Sequence, residues 1–256
     1  MKLIAISEKD IASKNIGKFL LSNYDFVKNG DFFEYKDIKL IKCTETVLEL
    51  DYLEKYDPEL LVIASPHKAA SGKPSLTCHV PGNWSKAKYG GESKKLSIAP
   101  ALYIRQILLN FKEANIEGFD VSLEVTHHGP SIEIPVMFVE VGSSEKQWNN
   151  LNVCEKTAEV IMSTLINEIE KVPIAIGFGG THYGAKFTKL IDKVAFGHIC
   201  PKYAVDSLDE KMILQAYHKT LPKPEKALLD WKGLKSKQRE KIIQILERNK
   251  ISWEKA

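Results

Sequence analysis

The chain has 256 residues, a formal net charge of +3 and 44% hydrophobic residues, room for one large α/β domain whose core needs no covalent staples. Its four cysteines, Cys43, Cys78, Cys154 and Cys200, form no CxxC pair, which argues against a disulfide framework and a thiolate zinc knuckle and fits a reducing cytosol. Near charge balance rules out an overall basic field, and with arginine only at 105, 239 and 248 a polyanion would meet lysine point charges, which suit phosphate backbone better than base reading.

The opening KLIAIS reads as a buried strand, followed by an amphipathic helix that Asp10 caps and in which Ile11, Ile16, Phe19 and Leu20 share a face. The apolar stretch before Glu8 is too short for a secretory leader, and no apolar run approaches membrane-spanning length. The expectation is therefore a cytoplasmic protein that is neither exported nor inserted, read here as a monomer. Residues 31–44 predict two short strands around a Lys36-Asp37 turn; DYLEKY is briefly helical and LLVIAS is again a buried strand.

From Ser65 to Ser97 there is no sustained period and Pro, Gly, Ser and Lys are frequent, which marks a functional stretch. The alternation then resumes: helix 99–114, strand 119–125, strand 134–141, a long helix from Ser144 to about Lys171, strand 173–178, helix 184–192, strand 194–199 and helix 207–218. The closing PEKALLDWKGLKSKQREKIIQILERNK reads as two helices joined near Gly233, so that residues 224–256 form a helical appendage on a single domain spanning 1–256. The predicted class is α/β, with a mixed, mostly parallel sheet and helices on both faces.

Six of the seven histidines fall in loops or at strand ends beside Gly and Pro: His67, His79, His127, His128, His182 and His198. Loops held on a rigid sheet are where binding and catalytic groups accumulate, although any one of these rings on its own is more often structural. His67 follows LLVIAS and should project from the carboxyl end of the sheet, where open α/β folds place ligands. His79 precedes the turn Pro81-Gly82-Asn83-Trp84, and Lys68, Lys73 and the amides around Gly72 are candidate phosphate contacts.

In SLEVTHHGPSIEIPVMFVEVGS, neighbouring side chains on a strand point to opposite faces, so His127 and His128 share a site only if Gly129-Pro130 turns the chain. Glu124, Glu133 and Glu140 are each embedded in apolar strands, where a carboxylate either faces solvent or must be paired, hydrogen-bonded or metal-bound. IAIGFGGTHYGAKFT is a strand, a glycine turn and a helix, with His182 where a dinucleotide fingerprint needs its third glycine; a nicotinamide cofactor is disfavoured. His182 and Tyr183 are then presented above the glycines, and GHICPKY brings His198 and Tyr203 to the same rim.

HExxH, G-x-S-x-G and P-loop motifs are absent. What remains is a His- and Glu-rich cleft with amide-rich loops, the equipment of hydrolysis by a metal- or His-activated water. Zinc is the metal that imidazole and carboxylate best suit.

The strings SPHKAASGKPSLTCHVPGNW, EVTHHGPSIEIPVMFVEVGS, GFGGTHYGAKFT and GHICPKY together resemble the signature blocks of the archaeal and plant D-aminoacyl-tRNA deacylases. The resemblance spans most of residues 61–205. It implies a fold related to peptidyl-tRNA hydrolase and phosphorylase-like sheets, zinc as cofactor, and hydrolysis of D-aminoacyl esters at the 3′ acceptor end of tRNA, which keeps D-residues out of translation. The Lys- and Arg-rich polar side of the second C-terminal helix reads first as a solvated face, with a tRNA-facing surface as the alternative.

The match does not assign single roles, so these come from the residues themselves. His79, His128, His182 and Glu133 are the candidate catalytic groups; His79, His127, His182 and Glu140 the candidate zinc ligands. His67, Gly72, Lys73, Gly179, Gly180 and Tyr183 are candidate substrate contacts, with the Gly72 and Gly179-Gly180 amides as oxyanion donors. The competing readings are a peptidyl-tRNA hydrolase or nucleoside phosphorylase-like enzyme, and a non-catalytic RNA-binding module, against which the scarcity of arginine and of aromatic RNA-stacking motifs counts.

Overall fold

The computed structural model describes residues 1–256. In chain order the strands are β1 (Lys2–Ser7), β2 (Val27–Asn29), β3 (Phe32–Tyr35), β4 (Ile38–Cys43), β5 (Leu60–Lys68), β6 (Ser75–His79), β7 (Gly82–Asn83), β8 (Lys95–Leu96), β9 (Ala99–Pro100), β10 (Asp120–Leu123), β11 (Val136–Ser143), β12 (Ile174–Phe178), β13 (Ala195–Cys200), β14 (Thr220–Leu221), β15 (Lys226–Leu229) and β16 (Trp253–Lys255). The α-helices are α1 (Ile11–Asn23), α2 (Ala101–Ala114), α3 (Glu145–Trp148), α4 (Leu151–Ile166), α5 (Ala185–Thr188), α6 (Glu210–His218) and α7 (Ser236–Arg248). No helix is long and apolar enough to cross a membrane.

Eight strands form the main sheet in the order β10-β6-β11-β5-β1-β4-β3-β2. It is mixed: β1, β4, β5 and β11 run parallel, whereas β6 is antiparallel to β11 and parallel to β10. Alternation sorts the side chains. Leu76, Cys78, Val139 and Val141 face a core built with Ile16 and Leu20 of α1, Ile107 and Phe111 of α2 and Ile161 of α4. Leu61, Ile63, Val136 and Phe138 face the other way, onto Val47, Leu50, Leu53, Ile132 and Ile134. The long helices thus cover one face, while short 3-10 turns and loops cover the other and leave it open to a site.

A second, all-parallel sheet of order β13-β12-β15-β16 stands apart from the first. Here the structure corrects the helical pair expected over 224–256. Only Ser236–Arg248 is helical, and Lys226–Leu229 is an inner strand with Leu228 facing the main core and Ala227 and Leu229 facing the core under α6 and α7. A four-residue apolar run carries no period that separates strand from helix, so burial on both faces decided the outcome. The expected appendage is therefore part of a sheet.

Two more expectations change locally. Asp10 precedes α1, but its carboxylate accepts from the Val47 amide at 3.2 Å and ties the helix start to a neighbouring turn instead of capping it. The long helix from Ser144 breaks because Ser144 and Gln147 cap the short α3, and Asn150 then caps α4 by accepting from Val153. The aperiodic stretch 65–97 contains β6, wedged between β10 and β11.

Candidate functional site

Register gathers the site. On β11, Gly142 lies opposite His67 of β5, Glu140 opposite Thr77 of β6, and Phe138 opposite His79. Cross-strand partners share a face, and positions two apart on one strand share it too. His67, Thr77, His79, Phe138 and Glu140 therefore stand on the face opposite the helix layer, with His67 the penultimate residue of β5, at its carboxyl end as expected. His79 lies flat on Phe138, rings 5.1 Å apart at 6°. Gly142 leaves the room for His67, since a Cβ there would lie 2.7 Å from the His67 Cβ.

The remaining groups come from a seam between the two sheets. Beyond β10, Glu124 is bridged antiparallel to Tyr183, the Val125 amide donates to His182, and Thr126 donates to Ile199 of β13. This zipper hangs the glycine turn of 179–184 over the sheet face. His128 then adopts a left-handed φ of 44°, uncommon for a side-chain-bearing residue, and this turn lets adjacent His127 and His128 both face inward. Their rings sit 4.3 Å apart, His79 lies 4.2 Å from His127, and His182 lies 4.5 Å from His127. The turn depends on Gly129, where a Cβ would lie 2.3 Å from the Gly91 nitrogen.

Five of the six loop histidines thus converge. The sixth, His198, is fully buried and hydrogen-bonded at both nitrogens, to Thr126 Oγ1 at 3.1 Å and the Ser97 carbonyl at 3.0 Å. It is a satisfied core histidine and not part of the rim, and burial pushes its pKa down to about 3.

Two buried carboxylates serve the imidazoles. Glu140 Oε2 accepts from His67 Nδ1 and from Thr77 Oγ1, each at 3.2 Å, and its other oxygen is 3.7 Å from His79 Nε2. Burial opposes charge on Glu140, yet His67 and His79 hold its carboxyl well below the usual range. Burial likewise opposes protonation of His67 and His79, but Glu140 and Glu124 outweigh it and raise both. The pKa of His127 is driven well below normal by burial and by the neighbouring His79, and that of His128 falls to about 4 for the same reasons.

Glu124 is different. Its oxygens lie 3.1 Å from His67 Nδ1, 3.1 Å from His182 Nε2 and 3.7 Å from His127 Nε2, yet neither is aligned in a hydrogen bond, and His79 Nε2 is equally without a partner. Buried polar atoms are seldom left so. Glu124 shares its apolar strand setting with Glu133 and Glu140, and nothing local to it in the sequence marks it out from those two. Glu133 is not brought in: it is half exposed and paired with Lys219 at 2.8 Å and Lys95 at 3.7 Å.

The donor set suits a cation. His79, His127 and His128 each set Nδ1 against a main-chain carbonyl, of Val80, Val125 and Gly129. A carbonyl only accepts, so in the neutral ring Nδ1 carries the proton and Nε2 presents a lone pair, the arrangement common in metal-ligating histidines. Donor atoms lie within 4.8 Å of one another in each of three groups, His79-His127-His128, His67-Glu124-His182 and His79-Glu124-Glu140. His79, His127, His182 and Glu140 are all present, but in no single group.

Among the expected substrate contacts, His67 Nε2 is bonded to the Tyr183 hydroxyl at 2.9 Å. The Gly72 amide is spent on Ala69 O and that of Gly179 on Cys200 O, so Gly180 is left as the expected oxyanion donor. Lys73 and Tyr183 line a cavity of about 510 Å³ beside the cluster. His127, His128 and His182 line another, of about 420 Å³, with Trp84, Tyr89 and Tyr203.

The family model described as D-aminoacyl-tRNA deacylase matches residues 54–254. The chain is 40% identical to the D-aminoacyl-tRNA deacylase of Pyrococcus furiosus over 94% of each chain, and 36% identical to that of Methanocaldococcus jannaschii over 99% of this chain and 98% of the other. A crystal structure of a conserved protein of unknown function superposes with a TM-score of 0.92 at 28% identity, covering 100% of this chain and 95% of that one.

Proposed function

The chain belongs to the D-aminoacyl-tRNA deacylase family, whose members are hydrolases of the ester joining a D-amino acid to tRNA, and we propose that the cluster around Glu124 is where this chain cleaves that ester. The observation behind the assignment is Glu124 itself: a buried carboxylate faced by three imidazoles, with neither oxygen in an aligned hydrogen bond. A buried carboxylate is costly unless it is paired, and a reacting water or a metal ion would complete its bonding.

Zinc fits these residues. His79, His127 and His128 would hold it through Nε2, with His67, Glu124 and His182 as a neighbouring donor group. Bound zinc would supply Lewis acidity and acidify a water. The chain's own groups do the rest. Glu124 accepts the proton of the attacking water and returns it to the ribose oxygen of the tRNA as the acyl C–O bond breaks, Glu140 and the Tyr183 hydroxyl fix the orientation of His67, and the Gly180 amide meets the developing oxyanion. An aminoacyl ester is already activated, so position matters more than chemical power.

The substrate is D-aminoacyl-tRNA engaged at its 3′ end, and the cytoplasm is the proposed setting. Matched D- and L-aminoacyl-tRNA, assayed with and without a chelator, test the reading. Release of the D-amino acid only, lost on chelation and restored by zinc, supports it. Equal release of both, or none, overturns it.

A further inference from the structure

Tyr89 and Tyr203 are 70% and 63% exposed, and both wall the same cavity as His127, His128 and His182. Two exposed aromatic rings grouped at one opening offer flat amphipathic surface to a ligand. The main chain beneath each is nonetheless pinned. Tyr89 O accepts from the Gly129 amide at 2.9 Å and Gly90 O from Asn83 Nδ2 at 3.0 Å, while the Lys202 amide donates to Gly180 O at 3.0 Å. The rings are thus presented on fixed supports. Lys86 and Lys88, both exposed, line the same opening.

Aromatic faces interleaved with lysines are the equipment for unpaired nucleotides: rings stack on bases whatever their identity, and ammonium groups follow the phosphates. On the reading that the ester is cleaved at the histidine cluster, we propose that this cavity seats the single-stranded 3′ end of the tRNA, Tyr89 and Tyr203 stacking on its terminal bases and Lys86 and Lys88 meeting its phosphates. At about 420 Å³ it is within the range of small-ligand sites. The neighbouring cavity is less suited, because its one aromatic ring, Tyr183, is tied to His67.

The probes are deacylated tRNA with an intact 3′ end and the same tRNA lacking its terminal adenosine, titrated by fluorescence anisotropy. The parent protein should bind the intact form more tightly. Tyr89→Ala and Tyr203→Ala should each weaken binding of intact tRNA by about tenfold and shrink its advantage over the truncated form, whereas Tyr89→Phe and Tyr203→Phe keep it. With D-tyrosyl-tRNA, the loss in the alanine variants should fall on KM and not kcat. Lys86→Gln with Lys88→Gln should flatten the salt dependence of binding.

Equal binding of both tRNAs by the parent, parental KM in the tyrosine-to-alanine variants, or phenylalanine variants as weak as the alanine ones would overturn the assignment. The deacylase reading is tested separately by the parent: no turnover of D-tyrosyl-tRNA sinks that reading, whereas normal turnover with unmoved KM in the variants sinks only the nucleotide seat.

Discussion

Glu124 Oε2 lies 3.1 Å from His182 Nε2, and the two are not aligned in a hydrogen bond. The carboxylate is buried and the imidazole is 39% exposed, so the pair connects the closed floor of the site to its mouth. An ionisable group held this way is retained against its desolvation cost, which points to use in the reaction rather than to stability.

Glu124→Gln should therefore lower kcat by about a hundredfold or more, the scale of losing a general base, without lowering Tm. Steady-state deacylation and thermal denaturation on the same preparation check both halves. A less stable variant with near-parental turnover would make Glu124 structural.

Removing imidazoles separates metal from proton transfer. His79→Ala or His127→Ala should cut the zinc retained after dialysis, measured by elemental analysis, and depress turnover with it. His182→Ala, at the exposed edge, should depress turnover with a smaller loss of metal. Full zinc content in all three variants would remove zinc from the site.

Gly142→Ala tests the packing. The added methyl meets the His67 Cβ at 2.7 Å, so His67 must shift away from Glu140 and Tyr183. Overpacking of this kind costs about 1–3 kcal/mol, and a displacement near 1 Å is enough for roughly a hundredfold loss of rate. Urea unfolding and turnover should move together.

Stability should fall on acidification, and His198 supplies a measurable part of it. Its folded pKa, near 3, lies below the unfolded value of about 6.5, so the unfolded chain takes up the proton first as pH drops. The neutral-histidine contribution is complete above about pH 6.5 and declines by about 1.4 kcal/mol per pH unit below it, until the folded form titrates near 3. His127 and His128 are depressed in the same direction and add to the slope. Urea midpoints between pH 4.5 and 6.5 should show a shallower slope in His198→Gln than in the parent; parallel curves would mean that His198 is not held neutral.

Glu133→Ala should leave turnover unchanged, because its carboxylate is engaged with Lys219 and Lys95 at the surface. The stability change should stay within about 1 kcal/mol. A large loss of turnover would restore Glu133 to the catalytic set.

Much of this was legible along the chain. The βα alternation, the strands around Lys36-Asp37, the histidines at loops and strand ends, and the turn that lets His127 and His128 face one site all follow from local period, turn chemistry and side-chain type. So does the family, whose motif blocks are contiguous strings. Local signals nevertheless failed wherever two residues carried the same one. Glu124 and Glu133 both sit in apolar strand-like runs, yet one is buried at the centre of the site and the other paired at the surface. His182 and His198 both lie a residue or two from a glycine in the sequence, yet only His182 reaches the cluster, whereas His198 lies buried within β13.

By itself, then, the sequence determined which chemistry is present and which segments carry it, because hydrophobic period and side-chain type are properties of neighbours in the chain. Tertiary structure decided which groups meet. β11 had to align with β5 and β6 so that Gly142 faces His67 and Phe138 faces His79, and a slip of one residue in β11 would turn Glu140 into the helix-covered core. That register is set by packing between strands far apart in sequence, which no local pattern encodes.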